Sequence, residues 1–231
     1  MRKRRAILVF ILGSLLVILF AGAMPRMVQE SLPLAQEASQ TKESSGTTRS
    51  PALEALETLA VKGRAPKTGY ERSEFGDGWA TVNGCTTRNI ILHRDLENVQ
   101  VNDKCSVIAG VLNDPYSGKE IQFTREQSSL VQIDHVVALS DAWQKGAQQL
   151  TKAQRKQLAN DPLELLAVAG ADNQAKGDGD AATWLPKNKA FRCQYVARQI
   201  AVKIKYTLWV TPAEKTAMQT VLAGCPNEPI P

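Results

Sequence analysis

Val131-Gln132-Ile133-Asp134-His135-Val136-Val137-Ala138-Leu139 is the stretch from which the fold and the chemistry are both read. The run is apolar and β-branched except at Gln132, Asp134 and His135, which predicts a strand that passes into a turn. Adjacent strand side chains face opposite ways, so Asp134 and His135 reach one site only where the strand bends into a loop or bulge. A ββα unit does this. Its hairpin carries a base and one ligand, and the helix that follows returns a second ligand. Asp172-Asn173-Gln174-Ala175-Lys176-Gly177-Asp178 lies downstream, where such a helix would start.

The residue types fit one kind of chemistry. The Asp134 carboxylate and the Asn173 carbonyl are hard oxygen ligands, suited to a divalent cation that keeps several waters, Mg²⁺ ahead of Mn²⁺, and poorly suited to zinc. Such a cation neutralises phosphate charge and stabilises a leaving oxygen. A neutral histidine can activate water, and Lys176 offers a cation to a phosphate. The chain has only two histidines, which gives His135 added weight, while His93 matches no motif and reads as structural. By itself an Asp-His pair is more often a hydrogen-bonded turn than a catalytic pair; Asn173 and Lys176 reverse that balance. Trp79 and Trp184 read as core or loop anchors, and Asp178 and Asp180 as turn residues, with metal ligation the less favoured alternative for the two acids.

The chain's 231 residues allow one good-sized domain or two small ones. It begins Met1-Arg2-Lys3-Arg4-Arg5, followed by apolar or small residues from 6 to 23 that end in Ala21-Gly22-Ala23. This is the pattern of a secretory signal peptide, and the run also just reaches the length of an uncleaved membrane anchor. Both readings place the remainder outside the cytoplasmic membrane. The net charge of +5 belongs largely to this leader: without its four cations, 24 Lys and Arg face 23 Asp and Glu. Global charge therefore says little about nucleic acid. Locally, Lys176, Lys187, Lys189, Arg192, Arg198, Lys203 and Lys205 outnumber Asp178 and Asp180, which suits a polyanion surface or a solvated helix face equally. Four cysteines in an exported chain suggest two disulfides. Of the three pairings, Cys85–Cys105 with Cys193–Cys225 is preferred because each bond stays within one half of the chain. Zinc is the rival, disfavoured because no Cys-x-x-Cys is present.

Residues 24–49 lack Phe, Trp and Tyr and are rich in Ser, Thr, Gln and Glu, which predicts a flexible linker. Ser50-Pro51 opens a helix carrying Leu53, Leu56 and Leu59. Residues 107–112 and 120–123 read as short strands around the Asp114-Pro115-Tyr116-Ser117-Gly118 turn, and residues 89–96 as a short helix. Residues 188–208 set apolar side chains near one helical face. Thr211-Pro212-Ala213-Glu214 is a capping box that opens a last helix ending at Gly224. These readings predict an α+β fold forming one domain over residues 50–231, with antiparallel helices at its C-terminal end.

Asp134-His135-Val136-Val137-Ala138-Leu139-Ser140, then Asn160-Asp161-Pro162-Leu163-Glu164-Leu165-Leu166, then Asp172-Asn173-x-x-Lys176-Gly177-Asp178 resembles the HNH, or ββα-metal, nuclease motif. The closer likeness is to exported actinobacterial HNH proteins related to the C-terminal domain of GmrSD-type restriction endonucleases. It extends through Val61 to Tyr70, Cys85-Thr86-Thr87-Arg88-Asn89, Arg94-Asp95-Leu96, the Asp114–Gly118 turn and Trp184-Leu185-Pro186-x-Asn188. The resemblance implies an endonuclease hydrolysing phosphodiesters in DNA, with RNA as a second substrate, leaving 5′-phosphate ends. His135 would be the general base, and Asp134 and Asn173 would hold one divalent metal. Asn160 or Asp161 would stand near the middle Asn, which orients the base through its backbone. Lys176 would contact phosphate, and Asn188 would be a further ligand or a structural residue. The sequence departs from the motif in having Asn173 where the final His of the name would be, and in Pro162, which stands where many members have Asn before Leu. No organic cofactor is implied. Two other classes stay open: a surface DNA-binding module without turnover, and a cell-wall hydrolase, which the scarcity of histidine disfavours.

Overall fold

A computed structural model describes residues 49–231. The expected signal or anchor at 1–23 and the linker at 24–49 fall outside the described residues, apart from Arg49. Among the described residues no helix is long and apolar enough to cross a membrane.

The chain opens with helix α1 (Pro51–Thr58), capped by the Ser50 hydroxyl, which accepts from the Leu53 amide at 3.2 Å. After a 3₁₀ turn at Arg72–Phe75 come the short strands β1 (Thr81–Val82) and β2 (Cys85–Thr86), then helix α2 (Thr87–Asp95). Strands β3 (Glu97–Val101), β4 (Val107–Asn113) and β5 (Glu120–Thr124) form an antiparallel sheet. Strand β6 (Val131–His135) is followed by helices α3 (Leu139–Gln144) and α4 (Lys152–Ala159), and only then by its partner β7 (Leu165–Ala169). Helix α5 (Gly170–Lys176) leaves β7 directly, and α6 (Arg192–Lys205) and α7 (Pro212–Leu222) close the fold. The architecture is α+β, as the sequence predicts.

The β6–β7 pair stands between two apolar cores. Val131, Ile133, Leu165 and Ala167 pack with α2 and the three-stranded sheet. Leu166 and Val168, on the opposite face, join the larger helical core with Val136, Tyr195, Ile200 and Met218. A strand covered on both faces has no polar side to show, which is why β7 reads as the unbroken run Leu-Leu-Ala-Val-Ala. Helix α5 can start at once because position 170 is glycine: a Cβ there would stand 2.1 Å from the Ser129 carbonyl oxygen. Gly177, at φ +51°, ends the helix in a conformation that L side chains rarely adopt.

Two disulfides join Cys85 to Cys105 and Cys193 to Cys225. The second ties the start of α6 to the end of α7. Beneath the helices lies an ionic cluster, buried except for Arg64 at its edge. Lys145 bonds to Asp141 (2.8 Å), Asp180 (2.8 Å) and Glu214 (2.5 Å). Arg64 bonds to Asp141 and Asp180, both at 2.7 Å, and Lys203 to Glu214 at 3.0 Å. Asp180, read from sequence as a turn residue, has its carboxylate inside this cluster. Burial works against the Asp180 charge, but Lys145 and Arg64 outweigh it and hold the carboxyl below its ordinary value.

Candidate functional site

The ββα unit is assembled from two matching periodicities. Gln132 and Asp134 are two apart and share one face of β6. Asn173 and Lys176 are three apart and share one face of α5. The faces meet: Asn173 Nδ2 donates to Gln132 Oε1 at 2.9 Å, and Lys176 Nζ donates to Asp134 Oδ1 at 2.8 Å. Lys176 Nζ also donates to the His135 carbonyl at 2.6 Å, and its side chain is wholly enclosed. Lys176, expected to face phosphate, therefore points inward, because a buried carboxylate needs a countercharge more than solvent needs a lysine.

Asp134 receives a second donor from a residue that the sequence reading left without a role. Tyr116 OH donates to Asp134 Oδ2 at 2.5 Å. Burial, and next the Asp134 charge, push the Tyr116 hydroxyl well above its ordinary value, so it stays a donor. Tyr116 is placed by the Asp114–Gly118 turn. There Asp114 Oδ2 accepts from the Ser117 amide at 2.8 Å and Asp114 Oδ1 from the Ala169 amide at 2.9 Å. Asn188 braces this turn: its Nδ2 donates to the Pro115 carbonyl and its Oδ1 accepts from the Ala190 amide. It is not among the residues lining the cleft described below, so of its two expected roles, a further ligand or a structural residue, its contacts fit the structural one.

His135 ends β6. Its Nε2 lies 3.0 Å from the Ala159 carbonyl oxygen. A carbonyl can only accept, so the proton sits on Nε2 and the lone pair is left on Nδ1. The imidazole lies flat against the Trp79 indole, with centroids 5.7 Å apart and planes 7° from parallel. Burial, reinforced by the charges of Arg72 and Lys176, lowers the His135 ring to about 3 against the pull of the Ala159 bond. The ring is thus neutral at any ordinary working pH.

Asn160 stands one residue from the role expected of it. The carbonyl that meets the His135 ring belongs to Ala159, while Asn160 Oδ1 accepts from the Ala80 amide at 2.8 Å and so holds the segment carrying Trp79. Asp161 Oδ2 accepts from Tyr206 OH at 2.6 Å. The chain beyond His135 is held instead by Glu164. Its carbonyl accepts from the Val136 amide at 2.9 Å, and its Oε2 accepts from the Val137 amide at 3.2 Å. Burial raises the Glu164 carboxyl well above its ordinary value.

Asp134, His135 and Asn173 border one cleft of about 260 Å³, together with Arg72 and Asp178. A second hollow of about 170 Å³ lies on the other side of His135, between Arg72, Trp79 and Ala159. Asn173, with its amide nitrogen committed to Gln132, leaves its carbonyl oxygen free. Each Asp134 oxygen accepts one bond and keeps a further lone-pair direction. These donors fit a hard cation that retains several waters. Lys176 already compensates part of the Asp134 charge, which predicts weak binding. Among the described residues no cluster of three His, Cys, Asp or Glu side chains forms a protein-only metal cage.

The cations over residues 176–205, which suit a polyanion surface or a solvated helix face equally, are mostly paired within the protein, although Lys187 and Lys205 stay exposed. Lys187 bonds to Asp172 and Lys205 to Asp161, Arg192 and Arg198 donate to backbone carbonyls, and Lys176 and Lys203 are enclosed. Tyr116 and Trp79 had signals in the sequence, an aromatic inside a tight Asp-Pro-x-Ser-Gly turn and one after Gly76-Asp77-Gly78. Neither signal names its partner.

The strand-strand-helix unit that brings Asp134, His135 and Asn173 to one cleft, beside the exposed Arg72, belongs to a nuclease-related domain. The chain belongs to the family of GmrSD restriction endonuclease C-terminal domains, whose model matches residues 86–221. It is also 42% identical over 173 residues to an uncharacterized secreted protein of Arthroderma benhamiae, covering 74% of this chain and 82% of that protein.

Proposed function

We propose that the protein is an exported, divalent-metal-dependent endonuclease acting on DNA, with RNA as a second substrate. The observation that carries this reading is the placement of His135, its Nε2 proton pinned by the Ala159 carbonyl, on the same cleft as Asp134 and Asn173. His135 Nδ1 takes the proton of the attacking water, and Trp79 and Ala159 hold the ring in the plane this needs. A ring lowered to about 3 is a reluctant base. The negative charge of an incoming phosphodiester favours the imidazolium and offsets part of that reluctance. Asp134 and Asn173 would hold one Mg²⁺ or Mn²⁺, which when bound neutralises phosphate charge and stabilises the leaving oxygen. Tyr116, Lys176 and Gln132 fix these two side chains before the substrate arrives.

Export is supported by the basic-then-apolar N-terminus, the two disulfides and the relative described as secreted. The test of the activity is incubation of the disulfide-bonded protein with plasmid DNA and Mg²⁺ or Mn²⁺. Cleavage is expected, falling by roughly 100-fold or more in His135→Ala, the scale of a lost general base. Equal cleavage by parent and variant removes His135 from the mechanism. A second reading, a DNA-binding module without turnover, draws on the enclosure of Asp134 by Lys176 and Tyr116. Tight binding without scission in either metal selects it.

A further inference from the structure

Nucleic-acid cleavage requires a cation that can meet the scissile phosphate, and the lysine that the sequence offers for this is turned inward. Lys176 is enclosed against Asp134, and Lys67 pairs with Asp178 at 3.0 Å. Arg72 differs from both. It borders the cleft on one side of His135 and the hollow on the other. It is exposed, and among the described residues its guanidinium makes no ion pair or hydrogen bond. A solvated surface arginine would also lack partners. Two further observations separate Arg72 from that bland case.

The first is its position, common to both hollows that flank the proposed base. The second is that its backbone is fixed while its head group is free. Arg72 opens the 3₁₀ turn Arg72–Phe75. Phe75 is buried against Trp143 and Tyr70, and Arg155 clamps Glu74 through its carbonyl at 2.9 Å and its carboxylate at 2.5 Å. A rigid mount with an uncommitted planar cation suits a residue awaiting a bidentate oxyanion.

We propose that Arg72 anchors the substrate phosphodiester, its guanidinium bonding two non-bridging oxygens and so setting the phosphorus beside His135 Nδ1. This rests on the endonuclease reading and supplies the phosphate contact that Lys176 cannot make. The site then takes a nucleic-acid backbone rather than a neutral polymer, and Arg72 touches phosphate rather than bases, so it adds affinity without sequence preference.

The test uses the disulfide-bonded protein and a fluorescein-labelled DNA duplex of random sequence. Binding is read by anisotropy in the His135→Ala background, and cleavage is read in the parent. Loss of a charge-assisted bidentate contact predicts that Arg72→Ala weakens binding roughly 10- to 100-fold and lowers the salt dependence of log K by about one phosphate. Arg72→Lys should recover only part of the affinity, because an ammonium cannot fork. Lys189→Ala, an exposed cation on a different groove, should bind within about twofold of the parent background. Urea midpoints of all variants should coincide, since Arg72 makes no internal bond. Arg72→Ala binding within twofold of its background, with the salt slope unchanged, overturns the proposal even if the parent cleaves DNA. If the parent does not cleave but binding still depends on Arg72, the endonuclease reading falls and the anchor stands.

Discussion

Replacing Lys176 with methionine tests whether the Asp134–Lys176 pair is as enclosed as it looks. The ammonium gives up two bonds, to Asp134 Oδ1 at 2.8 Å and to the His135 carbonyl at 2.6 Å. Methionine fills much of the same volume, so the loss is mainly electrostatic. A buried pair broken on one side costs ~3–5 kcal/mol, because the remaining charge stays in place without compensation. Lys176→Met should therefore be less stable by ~3–5 kcal/mol. Urea unfolding followed by circular dichroism, with both disulfides intact, measures this. Adding Asp134→Asn should return at least ~1 kcal/mol through coupling of the two sites. A deficit under ~1 kcal/mol would refute a buried pair.

Trp79→Ala removes the plane against which His135 rests. An aromatic pair of this kind contributes ~0.5–1.5 kcal/mol, so kcat should fall roughly 2- to 10-fold with KM little changed; a rise in KM at constant kcat would instead make Trp79 a nucleobase platform. Just past the C-terminal end of α4, two residues beyond Ala159, burial pushes the Asp161 carboxyl up, but bonds from Lys205 and Tyr206 and from the Leu163 amide outweigh it and hold it below its ordinary value. Its contribution to stability is then complete above the unfolded value of about 3.9 and is lost as pH falls through the lower folded value. Urea midpoints taken from pH 5 down to pH 2 should drop more steeply for the parent than for Asp161→Asn, and parallel acid limbs would dismiss the effect.

The two ends of the ββα unit were legible in the sequence because each is a local pattern: a β-branched run broken by Asp134-His135, and an Asn-x-x-Lys face on a short helix. The C-terminal helices were legible through the Thr211–Glu214 capping box, which forms as expected. The hairpin that joins the unit was harder to see. Its second strand, β7, pairs with β6 across two intervening helices, so no turn signal links them, and burial on both faces erases the alternation that marks a strand. Asp134, His135 and Asn173 border one cleft, while Asn160 and Asn188 do not line it, and some of these side chains point elsewhere than the sequence suggests. Lys176 looked like a phosphate ligand because sequence shows its charge but not the burial of its neighbour. Asn160 looked like the residue that orients the base, although the carbonyl that meets the His135 ring belongs to Ala159, and carbonyls leave no trace in composition.

The ionic cluster of Lys145 and Lys203 with Asp141, Asp180 and Glu214, joined from the surface by the exposed Arg64, constrains how this sequence can change over time. Its six members come from a loop before the first 3₁₀ turn, from α3, from the segment after α5, and from α6 and α7. Substituting one of the five buried members strands an opposite charge away from water, at a cost of ~3–5 kcal/mol, a large share of the stability margin of a small domain. Exchange for apolar residues is then open only to pairs drawn from distant parts of the chain, arriving together or by way of a polar intermediate. A descendant with an apolar residue at 145 should also have given up one of the acids at 141, 180 or 214. Substitutions at these positions should track one another through a lineage, while the site beside them remains free to diverge.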